Sequence, residues 1–171
     1  MKKQPDFKKL FYDHFGGIPQ KITYSVRSDS NRFHDMVFLN SLIHDSRFKI
    51  EKIQQKGIKL IIPINRDCWE IPLVHRDKPS PQSELHIANA QLTISPVIGV
   101  TWSYRPGIKF SEKTELWLQE IWLDRQDNDD TRTLTLYGFD WQCALNLKTE
   151  NIIIKLQDLE IPYLYSRKRK S

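Results

Sequence analysis

Histidine–aspartate steps are the residues of this sequence whose types and spacing could do chemistry. Two of them, His34-Asp35 and His44-Asp45, lie near the two ends of a stretch whose apolar residues recur every three or four positions. An imidazole and a carboxylate together suit a divalent cation, so these four side chains are candidate metal ligands. At about 100° per residue, His34 and His44 point about 80° apart and do not share one chelating face.

The dipeptide resembles the metal-binding His-Asp step of the HD phosphohydrolases. That resemblance implies a metal-dependent hydrolase in a helical bundle, with further ligands on other helices, whereas most of this chain is predicted as strand. A structural role is the competing interpretation of these residues. A histidine in the last helical turn, such as His44, interacts favourably with the helix dipole, and the side chain of Asp45 can form a hydrogen bond with the backbone. The chain has no nucleophile elbow, phosphate-binding loop or zinc-protease motif. We therefore keep the metal-dependent hydrolase as the alternative, predict no cofactor, and leave open whether the chain is an enzyme, with a non-enzyme favoured.

Aromatic residues are the second kind of candidate, because the chain has five tryptophans. Trp117 and Trp122 are five residues apart in a predicted strand, so they should face opposite sides of it. At least one indole is then expected to leave the main core and could anchor a partner, although packing under the N-terminal helices would explain it equally well.

Positive charge is concentrated at the chain ends. The net charge is +5, yet the sequence without six terminal basic residues has 20 basic and 21 acidic residues. Those six residues are Lys2, Lys3, Arg167, Lys168, Arg169 and Lys170. A nearly neutral body does not favour a face that follows a phosphate backbone, so the second alternative is a nucleic-acid accessory protein that binds through the C-terminal tail only.

The elements that must position these residues are two helices followed by many short strands. Helical spacing predicts helices over residues 5–15 and 31–44, and period-2 alternation predicts a strand over residues 20–26. After Asp45, about eight to ten strand candidates alternate with turns. The predicted fold class is α+β: an antiparallel β-sandwich or barrel-like sheet with one or two N-terminal helices. We expect a single domain over residues 1–171, with a helical part (1–45), a β-rich body (46–163) and a basic tail (164–171).

Residues 39–70 carry a further resemblance. There a helix ending in Leu42, His44 and Asp45 leads through Phe48 into a hairpin whose return strand covers residues 58–64. This arrangement resembles small uncharacterised bacterial β-rich domains, some of which are immunity-protein-like. The resemblance implies a protein-binding role and transfers no functional residue.

The function expected from the sequence is a protein–protein interaction or binding module, and its partner is expected to be another protein. A homodimer through a sheet edge is an alternative assembly. No apolar run approaches the roughly 18 residues of a membrane-spanning helix, so no membrane is expected. Cys68 and Cys143 lie far apart without metal-ligand spacing, which predicts two free thiols in the cytoplasm.

Overall fold

Two antiparallel sheets and one helix make up the part of the chain that the computed structural model describes, residues 20–28, 32–68, 85–124 and 130–165. Helix α1 covers Arg32–Ile43. The strands are β1 (Thr23–Arg27), β2 (Ser46–Lys49), β3 (Gln54–Lys56), β4 (Lys59–Asp67), β5 (Leu85–Ser95), β6 (Val97–Tyr104), β7 (Glu115–Leu118), β8 (Glu120–Leu123), β9 (Thr131–Tyr137), β10 (Trp141–Lys148), β11 (Ile153–Asp158) and β12 (Tyr163–Tyr165).

The eight-stranded sheet has the order β1-β11-β5-β4-β2-β7, with β12 beside β5 and β3 beside β4. The four-stranded sheet has the order β6-β10-β9-β8. Side chains from both sheets and from α1 form one apolar cluster, so the arrangement is sandwich-like. In the described residues, no helix is long and apolar enough to cross a membrane.

The predicted class needs a correction, because the structure is mainly β rather than α+β. The helix predicted over residues 31–44 is α1. The helix predicted over residues 5–15 lies outside the described residues. From Ser46 onward, the regular elements of the described chain are strands and one short 3-10 turn, because the apolar residues there alternate with period 2.

A change of sheet occurs where the sequence predicts one strand over residues 116–123. Leu116 and Leu118 of β7 are buried in the large sheet, and Ile121 of β8 is buried in the small one. The buried residues are therefore even-numbered in β7 and odd-numbered in β8, and the alternation shifts at Gln119. The backbone N–H of Gln119 donates to the carbonyl of Tyr137 at 2.8 Å, which starts the pairing of β8 with β9. One extended segment thereby joins the two layers at a corner.

A fully buried ion pair connects β4 with β11. Arg66 donates from Nε and Nη2 to the two carboxylate oxygens of Asp158, each at 2.7 Å, and neither side chain is exposed. The amide of Ile22 also donates to Asp158, at 3.0 Å. This carboxylate therefore fixes the chain segment that leads into β1, because an unpaired charge at this depth would be strongly destabilising.

Candidate functional site

A groove between α1 and β8 brings together three residues that the sequence singled out. Its volume is about 550 Å³, which lies within the range of ligand pockets. Trp122, His44 and Asp45 line it together with neighbours that the sequence analysis did not select. Those neighbours are Val37, Asn40, Ser41, Gln119 and Glu120.

Asn40 fastens the helical wall of the groove to the strand wall. Its side-chain nitrogen donates to the carbonyl of Ile121 at 2.9 Å, and its side-chain oxygen accepts from the Ile121 amide at 2.7 Å. The carboxamide thus pairs with this edge strand as the backbone of a neighbouring strand would. An asparagine on the apolar stripe of α1 was the available sequence signal, but a sequence cannot show that its partner lies 81 residues away.

Trp122 lies on the outer face of the small sheet, where its register partner is Thr135 of β9. The ring is half-buried, and part of it packs against the edge of the core. Its indole nitrogen donates to Glu120 at 2.8 Å, so an exposed carboxylate lies beside the ring. The indole thus packs partly against the edge of the core and also lines the groove.

His44 and Asp45 form the end of the groove next to the C-terminus of α1. His44 Nδ1 lies 3.1 Å from Asp45 Oδ2, and Gln119 donates to Asp45 Oδ1 at 3.0 Å. Asp45 has φ +62°, a left-handed conformation that ends the helix and that Asp tolerates better than most residues. Asp45 thus lies just after α1, at the helix end that the sequence predicts. Its carboxylate accepts a hydrogen bond from the side chain of Gln119, the residue between β7 and β8.

His34 and Asp35 lie at the opposite end of α1. Asp35 accepts a hydrogen bond from the Tyr24 hydroxyl at 3.1 Å. Burial, followed by the nearby Asp35 carboxylate, raises the pKa of Tyr24 to about 12. Ten residues of helix separate His34 from His44, a rise of about 15 Å. The two steps therefore do not form one metal site, and the described chain contains no cluster of three or more His, Cys, Asp or Glu side chains suited to a metal ion.

Trp117 does not join Trp122, because the shift at Gln119 places the two indoles on different sheets. Its register partner is Arg47 of β2, whose guanidinium carbon lies 5.4 Å from the centroid of the ring. Arg47 also donates to Asp67 at 2.7 Å. The face of Trp117 is thus occupied by a cation from the same chain, whereas Trp122 lines the groove.

The basic residues Arg167, Lys168, Arg169 and Lys170 lie outside the described residues. Binding through the tail therefore stays a prediction.

A second cavity, of about 230 Å³, lies between the two sheets. Trp102, Val100 and Cys143 of the small sheet line it together with aliphatic residues of β4. Burial raises the pKa of the Cys143 thiol to about 12, which keeps it protonated near neutral pH. Neither cysteine forms a disulfide, as the sequence predicts, and both are buried.

We compared the chain with protein-family models, with curated proteins and with solved structures, and none of the three comparisons gave a match.

Proposed function

We propose that this chain is a binding module that holds a segment of a partner protein in the groove between α1 and β8. The observation that carries the proposal is the position of Trp122, an indole on an outer sheet face that packs partly against the edge of the core and lines a groove. Large aromatic side chains in pockets are typical anchors of protein interfaces, because they bury much apolar area with few rotatable bonds.

The lining of the groove favours a basic residue next to an apolar one. Among its described lining residues, Asp45 and Glu120 are carboxylates and none is Lys or Arg. An ammonium or guanidinium group over the Trp122 ring would gain a cation–π contact and lie beside the Glu120 carboxylate. Val37 on the helical wall offers apolar surface to the neighbouring side chain of the partner.

This function needs only binding and no reaction. The resemblance of residues 39–70 to immunity-protein-like domains implies such a role, and four groove residues belong to that segment: Asn40, Ser41, His44 and Asp45. An immunity-type protein that occupies a basic surface of its partner is the specific form of the proposal.

Two short peptides that differ in one residue test the chemistry of the groove. The probes are acetyl-Ala-Leu-Lys-Leu-Ala-amide and the same peptide with Glu in the central position. The full chain, labelled with ¹⁵N, is titrated with each peptide while the indole N–H resonances are followed. We expect the lysine peptide to shift the Trp122 resonance at up to about 1 mM, the weak end of the affinity scale, and the glutamate peptide to leave it in place.

Matched variants assign the binding to the groove. Trp122→Ala should abolish the interaction and Glu120→Gln should weaken it about tenfold, since a charge-assisted contact of about 1.4 kcal/mol corresponds to that factor. Trp117→Ala, on the other sheet, is the control and should bind as the parent does. Equal shifts with both peptides, or no shift of Trp122 with either, would contradict the proposal.

A further inference from the structure

The two edges of the small sheet are treated differently. Edge strand β8 is covered by the carboxamide of Asn40. Edge strand β6 pairs with β10 on one side, and no strand of the described chain pairs with its other side. The amide of Val97 donates to the carbonyl of Ile58 at 2.7 Å, so the open part of the edge begins after this residue.

The hydrogen-bond pattern shows which residues face that open edge. The amide of Arg105 donates to the carbonyl of Asp140, and Tyr104 is the register partner of Trp141. In an antiparallel pair, hydrogen-bonded residues alternate along each strand. Val100, Trp102 and Tyr104 therefore direct their backbone N–H and C=O groups away from β10.

The same three residues carry their side chains on the core side of the sheet. Trp102 packs against Trp141, with ring centroids 5.7 Å apart. Val100 and Tyr104 are nevertheless 38% and 40% exposed. Val100 and Trp102 also line the 230 Å³ cavity between the sheets. Apolar side chains, open space and unpaired backbone thus coincide along one strand.

Edge strands of monomers normally carry a charge or a proline that discourages pairing. The strands at the two ends of the large sheet's order follow this rule, since β1 contains Arg27 and β7 contains Glu115, whereas the three-residue β12 does not. Strand β6 has the sequence VIGVTWSY, which contains neither a charged residue nor a proline.

We propose that β6 pairs antiparallel with β6 of a second copy of this chain, so that two four-stranded sheets form one continuous sheet. A second copy fits because an uncharged strand meets no like-charge repulsion when it pairs with itself about a two-fold axis. The pairing places core-side residues opposite core-side residues, and Val100 and Trp102 of the partner then cover the cavity. Strands β6 and β8 form the two opposite edges of the small sheet. A negative result for dimerisation through β6 therefore leaves the proposal for the groove beside β8 untouched, and the reverse also holds.

Sedimentation velocity of the full chain between about 1 and 100 µM tests the assembly, a range that covers ordinary dimer affinities. We expect a dimer, and we expect Val100→Lys to raise its dissociation constant at least about 100-fold, because each copy would bring an ammonium group into a desolvated contact. Gln142→Lys is the charge-matched control, because Gln142 is exposed on β10, one strand away from the edge. It should dimerise like the parent.

Amide hydrogen exchange provides a second readout on the unmodified chain and does not depend on whether the Val100→Lys variant folds. The amides of Val100 and Trp102 have no ladder partner in one copy, so their protection should rise with protein concentration. A monomer at 100 µM, a dimer in which these amides stay unprotected, or a co-purified foreign strand on this edge would each overturn the proposal.

Discussion

Replacing Asn40 by alanine tests whether one side chain holds the groove together. The change removes both hydrogen bonds to the backbone of Ile121, at 2.9 and 2.7 Å. A typical intramolecular hydrogen bond contributes about 0.5–1.5 kcal/mol net, so the expected loss of unfolding free energy is about 1–3 kcal/mol. In a chain of this size, each kcal/mol lowers the melting temperature by about 2–4 °C.

Urea unfolding followed by tryptophan fluorescence measures this loss, and amide exchange at Ile121 locates it. Ser41→Ala is the matched control on the next residue of α1. The Ser41 hydroxyl donates to the carbonyl of Val37 at 2.9 Å, within the helix itself. Alanine is the better helix former, so this variant should be neutral or slightly stabilising.

Asn40→Ala should therefore lower the unfolding free energy, and Ser41→Ala should not. An Asn40→Ala protein within about 0.5 kcal/mol of the parent, with unchanged protection at Ile121, would refute the idea that the carboxamide covers the β8 edge. A loss of stability with unchanged affinity for the lysine peptide would instead separate the fastening of the helix from ligand binding.

Three further predictions concern the buried charges, a thiol and the tail. Asp158→Asn should cost about 3–5 kcal/mol because it removes the carboxylate charge that pairs with buried Arg66, whereas the double variant Arg66→Met/Asp158→Leu should lie nearer the parent; equal losses in urea unfolding would contradict this. With its pKa raised from 9.0 to about 12, Cys143 favours the folded state below pH 9, a contribution lost as the pH rises toward 12. Iodoacetamide at pH 8 should alkylate Cys143 no faster than the chain unfolds, with the adduct detected by mass spectrometry. Rapid alkylation would argue against the burial of this thiol. If the tail binds nucleic acid, a plot of the logarithm of the binding constant against the logarithm of the salt concentration should have a slope of about −0.9 for each neutralised phosphate. Deletion of residues 166–171 should then abolish binding. Equal binding by the truncated chain would place the site elsewhere.

Local patterns in the sequence predicted the elements well where one periodicity runs without interruption. Residues 31–44 have a continuous helical stripe and form α1, and the turn at Gly57 joins β3 to β4 as a hairpin. The fold class was predicted less well, because the balance of helix and strand depended partly on residues 5–15, which lie outside the described residues.

The groove could be predicted only in part, because its walls are distant in sequence. Trp122, His44 and Asp45 were candidates for separate reasons, and no local pattern places residue 45 beside residue 119. Asn40 and Gln119 were missed as groove residues because their roles arise from contacts with distant segments. A polar residue on an apolar helical stripe was the one local sign of such a contact.

Gln119 connects the fold to the proposed function. In one uninterrupted strand, Leu116, Leu118 and Trp122 would share a face, and the indole would be directed toward the core. The shift at Gln119 turns Ile121 inward instead and leaves Trp122 on the outer face, beside the helix that Asn40 fastens there. The side chain of Gln119 donates a hydrogen bond to Asp45 and so connects the end of the groove formed by His44 and Asp45 to the strand wall. The corner between the sheets and the candidate site thus have the same structural cause, since the residue that moves the chain from one layer to the other also exposes the anchor of the groove.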